Sequence, residues 1–216
     1  MRCDPFAARR AWVVAPHPDD ETIGAWALMR RLARGGAQIW VAVVSDGGAS
    51  HPGSRSWPPA RLIRARRRET LRAMATLGLA PSRVRFLDLP DGALEPERVR
   101  RSLGRALHRM PAPELIVGPV PDDAHGDHRA VAAALRQLPR RGAHRLGYRV
   151  WPAEPRIAAK GPHVRLDGSA MTVKRRVVRS YRTQAGAIAD SATGFTMTPR
   201  HLRAFVRPDE RFVVLA

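Results

Sequence analysis

The chain has 216 residues, 44% of them apolar, one cysteine, and 38 Lys and Arg against 19 Asp and Glu, for a formal charge of +19. That length suits one domain over residues 1–216, and the lone Cys3 excludes both an internal disulfide framework and a Cys-based zinc site. No apolar run is long enough to span a bilayer, and "MRCDPFAARR" passes straight into a strand without an apolar leader region, so a cytoplasmic location is expected.

A pI near 11.8 invites a nucleic-acid reading. The basic residues, however, are almost all arginine and are spread along the chain, often on the outward faces of expected helices. Aromatic residues are only 6%. A general arginine bias accounts for this better than a binding stripe, so no nucleic-acid partner is expected. An acidic or phosphorylated small molecule is compatible with the charge but not required by it.

Strand and helix signals alternate along the chain. "AWVVA" (11–15) is an apolar strand ending at Pro16, and "TIGAWALMRRLARGG" (22–36) has helical spacing with a glycine stop. A β-branched strand (39–48) and a long amphipathic helix (59–79) follow. A third strand and turn (84–92), a third helix (95–110), a fourth strand running into a polar loop (114–128) and a fourth helix (128–138) complete the regular part. Beyond residue 140 the pattern loosens: strands at 145–151 and 210–216, a helix at 170–184, and a loop or irregular hairpin at 152–168. Alternating β and α elements with short links predict an α/β fold, a Rossmann-like, mostly parallel sheet with helices on both faces.

Four polar clusters, "PHPDDE", "SDGGASHPGS", "LPDG" and "PDDAHGDH", each follow a strand directly. In an open parallel sheet such positions share the edge outside the carboxyl ends of the strands, where ligands bind. Taken together, His17, Asp19, Asp20, His125, Asp127 and His128 are the residue types that bind borderline metals, zinc above all. A catalytic zinc takes three protein ligands and keeps one position open. A histidine and an aspartate from "HPDD" with a histidine from "HGDH" make that count, leaving an acid and a histidine for proton transfer and charge stabilisation. Taken singly, "PDD" is an ordinary turn and "HGDH" an ordinary helix cap; the pair behind two strand ends is what points to a metal.

"PHPDDE" behind the first strand with a distal "HGDH" resembles the PIG-L (LmbE-like) zinc-dependent N-deacetylases. "SDGGASHPGS", the Arg66/Glu69/Leu77/Gly78 pattern, "FLDLPDG", "KRRVVRSYRTQ" and "GFTM…PDERF" extend the resemblance over most of the chain. The resemblance implies zinc, with iron as the alternative metal, on His17, Asp20 and His128. It implies Asp19 as the general base on the zinc-bound water and His125 as the group that stabilises the oxyanion, in imidazolium form. It implies an N-acetylglucosamine-type sugar conjugate as the small-molecule substrate. Asp127, next to His128, is expected to orient a histidine, and Asp123 to orient His125. Arg66, Asp46 and His51 are candidate substrate contacts, each with a plain alternative: a solvated helix face for Arg66, loop support for the other two.

Glu21 reads as a first-turn helix acid. Gln184 fits a pattern of the family, but Tyr181 stands where relatives carry histidine. His108, His144, His163 and His201 have no motif around them and read as surface residues. Two other functions stay open: a hydrolase of another bond, such as a phosphoester, and an arginine-rich nucleic-acid-binding module on the same fold. The absence of "GxGxxG" after the first strand argues against dinucleotide binding. Nothing in the sequence indicates the oligomeric state.

Overall fold

The computed structural model describes residues 4–139, 142–153 and 161–215. The main sheet is built from β1 (Arg10–Ala15), β2 (Gln38–Ser45), β3 (Val84–Leu89), β4 (Leu115–Pro119), β5 (His144–Tyr148) and β8 (Val213–Val214). Its strand order is β3-β2-β1-β4-β5-β8. The first five strands are parallel and β8 runs antiparallel to β5. This is the expected Rossmann-like arrangement. Its switch point falls between β1 and β4, where the chain leaves the two strands in opposite directions and opens a crevice at their carboxyl ends.

The strands bury both faces, which explains why β1 and β2 read as continuous apolar runs. Ala11, Val13 and Ala15 pack on one side with Val41 and Val43, under α1 (Asp20–Arg34) and α5 (Gly168–Arg179). Trp12, Val14, Ala42 and Val44 pack on the other, under α3 (Pro96–His108) and α4 (Gly126–Gln137). The two-residue period of the strand sorts successive side chains to opposite layers. The remaining helix of the regular half is α2 (Pro59–Ala75).

Beyond β5 the structure departs from the sequence expectations. The helix expected at 170–184 spans only Gly168–Arg179. It starts early because Asp167 caps it, accepting from the Ala170 N–H at 2.7 Å. Residues 181–184 turn away, drawn by the buried Glu69 carboxylate, which accepts from the Thr183 N–H and hydroxyl. A helix not expected from the sequence, α6 (Pro199–Phe205), is signalled by its Thr198 cap and by Pro199 in its first turn. The single strand expected at 210–216 is two: β7 (Asp209–Arg211) pairs with β6 (His163–Arg165) outside the main sheet, and β8 joins it. Much of the 152–168 loop, residues 154–160, lies outside the described residues, as do Cys3 and Ala216. Among the described residues no helix is long and apolar enough to cross a membrane.

Helix α1 is broken at Ala25, which has φ −142° and ψ 15°. The break releases backbone groups that must find partners elsewhere. Glu210, at the centre of β7, accepts from the N–H groups of Ala27 and Leu28 at 2.7 and 3.1 Å. Lys174 of α5 donates to Ile23 O at 2.9 Å and to Glu210 at 2.6 Å. Both side chains are buried. The outer half of α1 therefore restarts on a carboxylate cap while the first half, Asp20–Gly24, stays at the crevice. Lys174→Ala leaves the Glu210 charge buried without its cation and is expected to cost about 3–5 kcal/mol by denaturant unfolding. A loss below about 1 kcal/mol would remove the pair from this role.

Candidate metal centre and cleft

The loop after β1 and the start of α4 bring His17, Asp20, His125, Asp127 and His128 to the switch point. The backbone N–H of His17 donates to Asp20 Oδ2 at 2.9 Å, folding the loop back on itself. Three atoms then converge. His17 Nδ1 is 3.1 Å from Asp20 Oδ2, His128 Nε2 is 3.1 Å from the same oxygen, and the two ring nitrogens are 3.3 Å apart. A tetrahedral ion with bonds of about 2.0–2.1 Å holds its ligand atoms roughly 3.3 Å from one another. The donor set is two imidazoles and one carboxylate, all able to present lone pairs to one point.

The outer nitrogens of both imidazoles face carboxylates. His17 Nε2 lies 3.1 Å from Asp127 Oδ2 and 3.2 Å from Asp91 Oδ1. Held there as a donor, it leaves Nδ1 free as a ligand. His128 Nδ1 lies 3.4 Å from Asp123 Oδ2, which leaves Nε2 as its ligand atom. Asp127 thus faces a histidine as expected, and that histidine is His17. The orienting assignment of Asp123 is corrected: it backs His128 rather than the His125 ring, because loop geometry turns neighbouring side chains apart. Sequence reasoning also misses Asp91 as a site residue, although it places the "LPDG" turn that carries it on the correct sheet edge.

The chain's own charges favour a cation in this corner. Burial alone would raise the Asp20 carboxyl, yet His128 and His17 hold it well below the usual carboxylate range. Burial opposes protonation of His128, but Asp20 and Asp123 raise its pKa to about 9. Asp91, Asp123 and Asp127 are likewise held low against their burial by the adjacent imidazoles.

Asp19 is next to the triangle but outside it. Its backbone has φ 142°, a conformation L-residues rarely adopt and one that costs about 1–3 kcal/mol. Two contacts hold it. Glu21 Oε2 accepts the Asp19 N–H at 3.1 Å, and Arg66 donates to Pro18 O at 2.9 Å while lying 3.4 Å from Asp19 Oδ2. Burial pushes the Asp19 carboxyl up to about 8, with Arg66 opposing and Asp20 and Glu21 adding to the rise.

Glu21 sits in the first turn of α1 as expected, and it is fully buried there. Tyr181 donates to its Oε1, and the same hydroxyl contacts Thr22 Oγ1 at 2.9 Å. Arg66 is likewise buried, not part of a solvated face; it also donates to Gly47 O at 3.1 Å and so ties the loops after β1 and β2 together.

His125 is the N-cap of α4, and its Nδ1 accepts from the Asp127 N–H at 3.2 Å. That bond fixes the tautomer: the proton is on Nε2. Burial and the neighbouring His17 and His128 lower its pKa, so the ring is a neutral donor, not the imidazolium expected from the sequence.

A cleft of about 420 Å³ opens over these groups. It is lined by the polar Asp19, Arg66, Asp91, His125 and Gln184 and by Ile23, Trp151, Phe195 and His201. Asp46 and His51 are not among the residues that line it. Asp46 caps its own loop, accepting from the Gly48 N–H at 2.8 Å, and His51 is buried beside Ser50. His201, expected on the surface, is a wall residue instead.

A family model described as GlcNAc-PI de-N-acetylase, PIG-L, matches residues 12–138, more than half of the chain. Solved structures resemble the fold. The N,N'-diacetylchitobiose deacetylase of Pyrococcus horikoshii is 21% identical with TM-score 0.74, over 100% of this chain and 87% of that one. The conserved protein TT1542 of Thermus thermophilus is 23% identical with TM-score 0.66, over 94% and 93%. A deacetylase of teicoplanin biosynthesis is 19% identical with TM-score 0.66, over 82% and 85%. The match through both polar clusters of the crevice decides the family: the chain belongs to PIG-L, and with it to the amide-hydrolysing deacetylases.

Proposed function

We propose that the chain is a zinc-dependent N-deacetylase that releases acetate from the acetamide of an N-acetylglucosamine-type sugar conjugate. The observation that carries this reading is the triangle of His17 Nδ1, Asp20 Oδ2 and His128 Nε2, with edges of 3.1–3.3 Å, flanked by a carboxylate and an imidazole that take no part in it. Two imidazoles and a carboxylate suit zinc, with iron(II) as the alternative. The names of the relatives, a GlcNAc-PI de-N-acetylase family, an N,N'-diacetylchitobiose deacetylase and a deacetylase of teicoplanin biosynthesis, support the substrate class.

Held by His17, Asp20 and His128, a divalent ion would supply a Lewis acid for the amide carbonyl and would acidify a water. Asp19 then accepts the proton of the attacking water on its carboxylate. As the tetrahedral carbon forms, its oxygen gains negative charge, and His125 Nε2–H donates to it. Asp19 returns the proton to the amide nitrogen, the carbon–nitrogen bond breaks, and acetate and a free amine leave. Asp91, Asp123 and Asp127 act by holding the two ligand imidazoles in the required tautomers. Arg66 and Glu21 act by holding Asp19.

Asp19→Asn is expected to keep the metal and lower kcat by about 10²–10⁴-fold, because it removes the base and not a ligand. Elemental analysis of the purified variant beside amine-release kinetics checks both halves; loss of metal would make Asp19 a ligand instead. His128→Ala is expected to lose metal and turnover together, and undiminished metal content would mean a different third ligand. A panel of N-acetylated sugar conjugates, assayed for free amine with and without chelator, tests the reaction itself. Chelator-insensitive turnover, or abundant co-purifying nucleic acid without metal, contradicts it.

A further inference from the structure

The aromatic part of the cleft lining comes from parts of the chain beyond the family match. Trp151 follows β5, Phe195 lies in the segment before α6, and His201 is in the first turn of α6. Their rings form one wall. Trp151 meets Phe195 and His201 edge-on, with centroids 5.7 and 5.4 Å apart and interplanar angles of 86°. Phe195 and His201 lie nearly parallel at 5.8 Å and 20°.

The wall is fastened to the metal centre. Asp123 Oδ2 accepts from the N–H groups of Val150 and Trp151 at 3.0 Å each, and the same oxygen faces His128. On the far side, the Phe195 N–H donates to Ser50 O at 2.9 Å. Aromatic rings in a preformed wall offer apolar contact at a fixed distance from the reacting group. Groups able to read hydroxyls, Arg66, Gln184 and His125 among them, line the same cleft.

We infer that this wall is a subsite for an apolar aglycone, an aryl or alkyl group attached to the acetamido sugar, and that Trp151, Phe195 and His201 set this preference. The inference rests on the deacetylase reading above.

The test compares 4-nitrophenyl N-acetyl-β-glucosaminide with free N-acetylglucosamine. Wild-type protein should favour the aryl glycoside about tenfold in kcat/KM, through KM, as expected for one well-placed aromatic contact. Trp151→Ala and, separately, Phe195→Ala should reduce that preference to within about twofold while metal content stays unchanged. Equal kcat/KM for the two compounds in wild type, or a preference that survives both substitutions, overturns the subsite. Binding of both compounds to Asp19→Asn separates the two readings. Tighter aryl binding without wild-type turnover of either compound keeps the subsite and overturns the reaction. Turnover of both with equal affinities does the reverse.

Discussion

Two buried carboxylates hold the crevice together, and the other parts of the site depend on them. Asp127 accepts from the Gly92 and Leu94 N–H groups of the turn after β3 and faces the outer nitrogen of His17 from the loop after β1. Asp123 accepts from His125 N–H on its own loop and from Val150 and Trp151 after β5, and faces the outer nitrogen of His128. Between them they join the loops of four parallel strands. Each does so with an oxygen that also orients an imidazole, so the fold of the loops and the tautomers of the ligands are set by the same contacts.

The crowding of acids around this frame is tolerated because different charges are balanced differently. Asp20 and the three orienting aspartates face imidazoles. Asp19 faces Arg66 across 3.4 Å and is otherwise desolvated. Glu21 has no cation beside it among its hydrogen-bond partners, and burial raises it to about 7. Its contacts with Tyr181, Thr22 and the Asp19 peptide give that buried acid one task, holding an aspartate in a backbone conformation it would not adopt alone. The break in α1, restarted on Glu210 and Lys174, lets the first turn of the helix follow the site while the rest follows the core.

The cleft thus has two origins. Its polar floor comes from the loops of the parallel half, which is the part the family match covers. Its apolar wall comes from the irregular C-terminal segment, fastened on through Asp123, Ser50 and Glu69. One scaffold carries the reaction and a separate segment shapes what reaches it, the usual division in folds that host many substrates.

Much of this is legible in the residues alone. The alternating apolar runs of residues 11–138 have a period and length that a covered parallel sheet satisfies, and strand ends followed by "PHPDDE" and "PDDAHGDH" face one edge of such a sheet. His17, Asp20 and His128 stand out as candidate ligands because metal chemistry restricts ligands to few residue types. What sequence does not carry is pairing across distance. Nothing local says that Asp127 turns to His17 and Asp123 to His128, that Asp91 joins them, or that His125 is a neutral donor, since each depends on which loop packs beside which. Of Glu21, Arg66 and His201, only His201 reads as a surface residue, Arg66 stays open between substrate contact and a solvated face, and Glu21 reads simply as a first-turn acid; the burial of Glu21 and Arg66 is decided by Tyr181 and by two loop carbonyls, and the place of His201 by an aromatic wall assembled from separate segments. The sequence by itself determined the chemistry available at the crevice, because that is a matter of residue type at strand ends. The tertiary structure alone decided protonation, orientation and the shape of the cleft, because those follow from contacts between residues far apart in the chain.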